Sequence, residues 1–329
     1  MSKKVLVTDY VWPSLDPERA VLKTANADII VAPDGGEETL VELARDVDGI
    51  LTCFAKVTSN VIRSAKKCVV IGRYGVGVDN IDVDVATENG IIVTYVPDYC
   101  VDEVADHVVA MLLAWNRRIV LFDRATKLRG WGSEGLGMRI MRLSGKKLGI
   151  VGFGRIGRSV CARARAFGLD ILVHDPILSE SDVSNQGAKL VELQTLLADS
   201  DFVTLHAPLI PATKNMIGGI ELECMKEEAF LINAARGGLI DEEALYHALT
   251  TGQIAGAGLD VVEDVVPSVD HRLTTLENVI VTPHTAFFSQ EAVRELEERA
   301  AGEVASVLVS EKPENVVNLD VLGNSRAVL

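Results

Sequence analysis

The sequence predicts an α/β protein built from two parallel-sheet units, and three observations carry that expectation. First, short apolar runs rich in β-branched residues recur at 4–8, 28–32, 49–52, 69–72 and 90–94, with helical patterns such as 39–45 and 60–65 between them. This βαβ rhythm implies a parallel sheet covered by helices on both faces. Second, residues 147–176 read as strand, glycine-rich turn, helix and strand in immediate succession. Third, four later runs, 202–205, 230–233, 254–259 and 279–282, each lead into polar or turn residues, as strands of an open parallel sheet do at their carboxyl ends.

Size and composition fit this. A chain of 329 residues allows one or two domains with an ample core. Hydrophobic residues make up 48% and mean hydropathy is +0.23, which excludes a disordered chain. The net charge of −15 disfavours nucleic acid or an anionic membrane as partner. The five cysteines (Cys53, Cys68, Cys100, Cys161, Cys224) form no CxxC pair, so buried thiols in a reducing cytoplasm are expected. Only a few apolar residues follow Lys4 before Asp9, so no signal peptide is read, and the longest apolar run, 108–115, is too short to span a bilayer. The six histidines are scattered, and no metal site is expected.

Along the chain, the loop 72–80 follows the strand at 69–72. Its Gly75-Val76-Gly77 either frees backbone N–H groups to face an anion or forms a plain βα turn. Pro97-Asp98-Tyr99 then breaks the pattern, and 102–118 reads as a long helix with an acidic start and a basic end, a crossover between domains. His107 on it reads as a packed or capping histidine. A glycine-rich link at 130–137 precedes the second unit, which begins near Leu143. A last helix at 289–308 is expected to return to the first unit. Residues 312–329 read as a loose tail beyond a short extended segment at 315–319.

The turn at 152–157 carries the strongest chemical signal. Gly152 lets the chain leave the strand tightly, Gly154 lets a pyrophosphate approach the backbone, and Gly157 lets helix and strand pack closely. The helix opening at Arg155 and Ile156 offers N–H groups and a partial positive charge to phosphates. Asp175 ends the next strand, 18 residues beyond Gly157. A carboxylate there accepts from a ribose 2′-OH and repels a 2′-phosphate, so NAD is expected rather than NADP. The loops after the later strands, holding His206, Arg236, Asp260 and His284, should converge on the cofactor. Hydride transfer to a 2-oxo acid needs a cation for the carboxylate and an acid for the new hydroxyl. Arg236 suits the first need and His284 the second. Asp260 can hold the nicotinamide carboxamide. Taken singly, Arg236 also reads as a surface arginine and His284 as a strand-end cap.

Seven segments together resemble the D-isomer-specific 2-hydroxyacid dehydrogenases: GVGVDNID (75–82), VADHVVAMLLA (104–114), GFGRIG (152–157), HAPL (206–209), NAARGGLIDEEAL (233–245), GAGLDV (256–261) and TPHTAF (282–287). The resemblance implies a Rossmann-type NAD domain, 102–288, inserted into a flavodoxin-like substrate domain, 1–101 and 289–329. It implies NAD bound in the cleft, a homodimer formed through the nucleotide domain, and a small 2-hydroxy or 2-oxo acid as substrate. It also implies Arg236 binding substrate, His284 as acid/base, and backbone groups of Tyr74, Gly75, Val76 and Gly77 holding the carboxylate. NAD contacts are implied at Arg155, Ile156, Asp175, Ala207, Pro208, Thr213, Ala234, Asp260 and His284, with His206 and Ala235 on the same loops. The uncharged Thr52-Cys53-Phe54-Ala55 stands where some relatives carry a phosphate-binding cation, which argues against a phosphorylated substrate; Lys56 reads as a solvated lysine.

One position departs from the family pattern. The Glu expected five residues after Asp260, which pairs with the catalytic histidine, is Val265. Either Glu263 or Asp264 replaces that carboxylate, or His284 lacks it. The departure keeps a second reading open, a non-catalytic NAD(H)-sensing protein like the corepressor branch of the family.

Overall fold

The computed structural model describes residues 2–131, 140–263, 268 and 270–328. The chain divides into two compact units, Met1–Tyr99 with Phe288–Leu329, and Cys100–Phe287.

The smaller unit runs β1 (Lys3–Val7), α1 (Asp16–Thr24), β2 (Ala27–Val31), α2 (Glu37–Leu43), β3 (Gly49–Thr52), α3 (Ser59–Ser64), β4 (Val70–Arg73), α4 (Val83–Glu88) and β5 (Ile92–Thr94). These five strands pair with one another in parallel, in the order β2-β1-β3-β4-β5, and Thr94 of β5 also makes an isolated antiparallel bridge to Val316. The central strands are apolar runs because helices bury both of their faces; Val5, Leu6, Ile50, Leu51 and Ile71 are wholly inaccessible. The C-terminal helix (Gln290–Leu308), capped by Ser289, packs on α1, β3 and β4 of this unit.

The expected loose tail is corrected. Val317 N–H donates to Val93 O (2.8 Å), and Val93 N–H donates to Asn318 Oδ1 (2.8 Å). Arg326 N–H reaches Gly90 O (2.8 Å), and the Glu303 carboxylate accepts from the backbone N–H groups of Glu314 and Asn315. The segment straps β5, whose outer backbone groups would otherwise form an open sheet edge. Its polar composition hid this, because asparagine side chains and backbone make the attachment.

The larger unit runs α5 (Val101–Asn116), α6 (Ile119–Arg129), β6 (Lys147–Val151), α7 (Arg155–Ala166), β7 (Asp170–His174), α8 (Glu180–Ser184), β8 (Lys189–Leu190), α9 (Leu193–Asp199), β9 (Phe202–Leu205), α10 (Gly219–Cys224), β10 (Phe230–Asn233), α11 (Glu242–Thr251), β11 (Gly256–Leu259) and β12 (Val279–Val281). Its parallel sheet has the order β12-β11-β10-β9-β6-β7-β8, so strand order reverses beside β6, which pairs with both β7 and β9. That reversal is where a doubly wound sheet opens a ligand crevice at its carboxyl edge. Alternate residues feed two cores: Val203, Leu205 and Leu231 on one face, Phe202, Phe230 and Ile232 on the other. Trp115 of α5 stacks on Phe230 at 4.6 Å.

Two features were not expected. β8 is a two-residue edge strand, too short for a periodicity signal. The helix expected at 102–118 ends at Asn116, Arg118 turns into the left-handed region (φ 54°), and α6 follows. α6 has no buried residue, so it carries no apolar stripe on a core from which to read it. Of the glycine-rich link, 132–137 lies outside the described residues.

Candidate active site

The expected nucleotide turn lies between β6 and α7. Gly152 sits at φ 90°, and a β-carbon there would lie 2.7 Å from Ala207 N and from His206 C. Only glycine meets both demands. A β-carbon on Gly157 would meet Gly152 O at 2.4 Å, so the third glycine sets how closely helix and strand pack. Gly154, the N-cap of α7, differs: a β-carbon there meets nothing within 4 Å. The space above it is open, and the helix N-terminus with Arg155 and Ile156 points its N–H groups there. Asp175 follows β7; its carboxylate accepts from Phe153 N–H (2.8 Å) and Ile177 N–H (3.1 Å), which ties the acid to the turn. Open cradle, helix N-terminus and half-buried carboxylate fit a dinucleotide.

Beyond β9, His206 N–H returns to Val151 O (2.7 Å), and its Nε2 lies 3.0 Å from Thr204 Oγ1. Desolvation pushes this imidazole down to about 4, so it is neutral at pH 7. Ala207 is half-buried and Pro208 exposed. Thr213 Oγ1 donates to Pro208 O (2.6 Å) and accepts from Ile210 N–H (2.9 Å), which closes the loop.

Beyond β10, Ala234, Ala235 and Arg236 are half-buried. The buried Asn233 braces them: its Oδ1 accepts from Ala235 N–H (3.0 Å) and its Nδ2 donates to Arg236 O (2.8 Å). Beyond β11, Asp260 is 2% exposed, and three donors converge on its carboxylate: Thr282 Oγ1 (2.6 Å), Thr285 N–H (2.9 Å) and Ala286 N–H (3.0 Å). His284 N–H donates to Asp260 O (2.8 Å). The His284 backbone is left-handed (φ 52°), uncommon for a residue with a β-carbon. Its half-buried ring meets Phe287 edge-on, with centroids 6.2 Å apart. So Asp260, expected as a ligand contact, has its carboxylate engaged in shaping the turn that bears His284.

Arg236 and His284 thus leave strands of one sheet on the same edge as the glycine turn. Sequence reasoning missed Asn233, Thr282 and the part of His107 described below; their roles depend on contacts between distant strands. Asp264 and Val265 lie outside the described residues. Glu263 is exposed, and its N–H donates to Glu242 Oε1 (2.5 Å).

In the smaller unit, Tyr74 to Gly77 follow β4. Tyr74 is 1% exposed, and its hydroxyl donates to Glu18 Oε1 (3.2 Å). Tyr74 N–H goes to Thr52 O and Gly75 N–H to Arg73 O, both at 2.9 Å. These two residues therefore have no N–H to give a ligand in this conformation, which narrows the expectation to Val76 and Gly77. The buried Arg73, also missed, donates to Tyr74 O and to Asn80 Oδ1, and sets a guanidinium beneath the loop. Asp9 accepts from the N–H groups of Cys53, Phe54 and Ala55, at 3.0, 2.6 and 3.1 Å.

Comparison with known proteins identifies the family. Residues 109–286 match the family described as D-isomer specific 2-hydroxyacid dehydrogenase, NAD binding domain. The chain is 41% identical over 300 residues to a glyoxylate reductase of Thermococcus litoralis, covering 89% of this chain and 90% of that one. It is 41% identical over 318 residues to a D-3-phosphoglycerate dehydrogenase of Methanocaldococcus jannaschii, covering 96% of this chain but only 59% of that longer protein. Among solved structures, a D-lactate dehydrogenase of Aquifex aeolicus complexed with NAD and lactic acid superposes with a TM-score of 0.86 at 26% identity, covering 99% of each chain. The chain belongs to the D-isomer-specific 2-hydroxyacid dehydrogenase family, and residues 109–286 are its NAD-binding domain.

Proposed function

We propose that the protein is an NAD-dependent oxidoreductase that interconverts a small D-2-hydroxy acid and its 2-oxo acid. One observation carries the reading: Arg236 follows β10 and His284 follows β12, on the sheet edge where the Gly154 cradle lies open. The β6–α7 turn at Gly154 and the Asp175 carboxylate would hold NAD, which would supply the hydride acceptor for C2 of the hydroxy acid or, reduced, the hydride donor for the oxo acid. Arg236 grips the carboxylate through paired N–H donors and polarises the adjacent carbonyl. His284, as imidazolium, gives its proton to the carbonyl oxygen while C2 is reduced, and takes it back in the other direction. Asp175 selects NAD by accepting from the ribose hydroxyls. Val76 and Gly77 are the loop residues left to hold a carboxylate.

The substrate carries no phosphate in this reading. The N–H groups of Cys53, Phe54 and Ala55 already face the Asp9 carboxylate, and the wholly buried Thr52 turns its hydroxyl to Ala55 O (3.0 Å). The five free thiols suit a reducing cytoplasm, and nucleic acid is not a partner of so acidic a chain. The protein works as a homodimer joined through the larger unit, where Ile119, Val120 and Leu128 of α6 and neighbouring Trp131 are exposed.

The test is NADH oxidation with glyoxylate, pyruvate, hydroxypyruvate and a phosphorylated 2-oxo acid. Turnover of an unphosphorylated acid at ten or more times the kcat/KM of the phosphorylated one is expected, about 1.4 kcal/mol. Tight NADH binding without turnover of any acid would favour the NAD(H)-sensing reading that Val265 keeps open.

A further inference from the structure

His107 lies on α5, far in sequence from the loops that carry the chemistry. Its Nε2 is 2.9 Å from Thr282 Oγ1 and 3.7 Å from Asp260 Oδ1, and its side chain is 21% exposed. A threonine hydroxyl has one proton to give. Thr282 directs that proton to Asp260 Oδ1 at 2.6 Å, so the 2.9 Å contact is a donation from His107 Nε2–H to Thr282 Oγ1. This fixes the histidine's tautomer. The chain of bonds continues through the carboxylate to Thr285 N–H and Ala286 N–H, the two residues after His284. The turn they form holds His284 in a left-handed conformation that a residue with a β-carbon keeps only when its surroundings enforce it.

We propose that His107 is a positioning residue for His284: it orients Thr282, Thr282 completes the set of donors around the buried Asp260 carboxylate, and that carboxylate holds the turn from which the imidazole is presented. Without the imidazole the Thr282 hydroxyl is free to rotate, and Asp260 loses a donor in a place where water has little access. The turn can then relax toward ordinary backbone angles and move the His284 ring. A misplacement of that kind costs turnover more than substrate affinity, because Arg236 is held separately by Asn233. The inference rests on the reading of His284 as the acid.

The test uses the full chain and five variants, His107→Leu, His107→Gln, Thr282→Val, the His107→Leu/Thr282→Val double and His284→Gln. His107→Leu is expected to lower kcat about 10-fold with KM for the 2-oxo acid within about 2-fold. His107→Gln, which keeps a donor at nearly the same place, should recover most of the rate. Thr282→Val should match His107→Leu, and the double variant should lose no more than either single one. Amide exchange of Thr285 and Ala286 should quicken about 10-fold in His107→Leu and stay slow in His107→Gln, whichever acid is the substrate. Unchanged exchange in His107→Leu, equal losses in the Leu and Gln variants, or multiplicative losses in the double variant would overturn the proposal. His284→Gln separates the two claims: if it keeps the wild-type rate, the acid assignment fails, whereas if it is inactive while His107→Leu has unchanged kcat, only the role of His107 fails.

Discussion

Gly237 lies so close to Val262 that a β-carbon on it would sit 2.0 Å from the Val262 carbonyl carbon and 2.1 Å from its oxygen. The loop bearing Arg236 is thereby pressed against the loop that follows Asp260. Gly237→Ala must push one loop off the other by more than about 1 Å, a displacement that costs catalysis up to about 100-fold. We expect kcat/KM for the 2-oxo acid to fall by that order, with NADH affinity changed only a few-fold. Steady-state kinetics beside NADH fluorescence titration measures both.

The glycines of the β6–α7 turn should separate folding from binding. Gly154→Ala adds a methyl group to open space on extended backbone, so the thermal midpoint should hold within about 1 °C while NADH binding weakens at least about 10-fold. Gly152→Ala adds one against Ala207 and His206 at φ 90°, and should destabilise the protein by about 2 kcal/mol or more. Differential scanning calorimetry and NADH titration on the same two variants test the contrast.

How much of this was legible in the sequence follows from what each signal depends on. β6, α7 and β7 were readable because an apolar run, three glycines and an acid at fixed spacing are local features, and a parallel sheet makes its strands continuous apolar runs. Arg236 and His284 were readable as residues following strands. Invisible were contacts set only when strands align: Thr282 meets Asp260 because β12 pairs with β11, and His107 meets Thr282 because α5 crosses that sheet. α6 was missed because none of its side chains is buried within the chain, and the C-terminal strap because Asn318, not an apolar run, docks it.

Two acid–base groups with shifted affinities for a proton predict a pH dependence of stability. Burial, and next the Glu18 charge, push the Glu297 carboxyl from the ordinary 4.5 up to about 7. The folded state then holds a proton that the unfolded state has lost, so this contribution weakens as pH rises from 4.5 to about 7 and is flat above. Glu297→Gln should raise the thermal midpoint at pH 8 and leave it unchanged at pH 4. His206 has the opposite slope: with its pKa depressed from 6.5 to about 4, its contribution is lost as pH falls through that window. His206→Asn should flatten the acid side of the stability curve. Thermal melts across pH 4 to 8 test both signs.

Exposed apolar side chains on α6 and just beyond it, with Leu128 at 72% and Trp131 at 97%, predict self-association. Leu128→Glu combined with Trp131→Ser should shift the protein from dimer to monomer in sedimentation at micromolar concentration, with its far-ultraviolet circular dichroism unchanged. A wild-type protein that sediments as a monomer contradicts the dimer.

The most direct measurement follows the hydrogen itself. NADH deuterated at the transferable C4 position is incubated with the protein and each 2-oxo acid, and the product is analysed for label and configuration. We predict deuterium at C2 of a D-2-hydroxy acid, with the rate lowered by about 100-fold or more in His284→Gln. If NADH binds and no product of any acid carries the label, or if His284→Gln labels product as fast as the wild type, the assignment of hydride transfer to this site is contradicted.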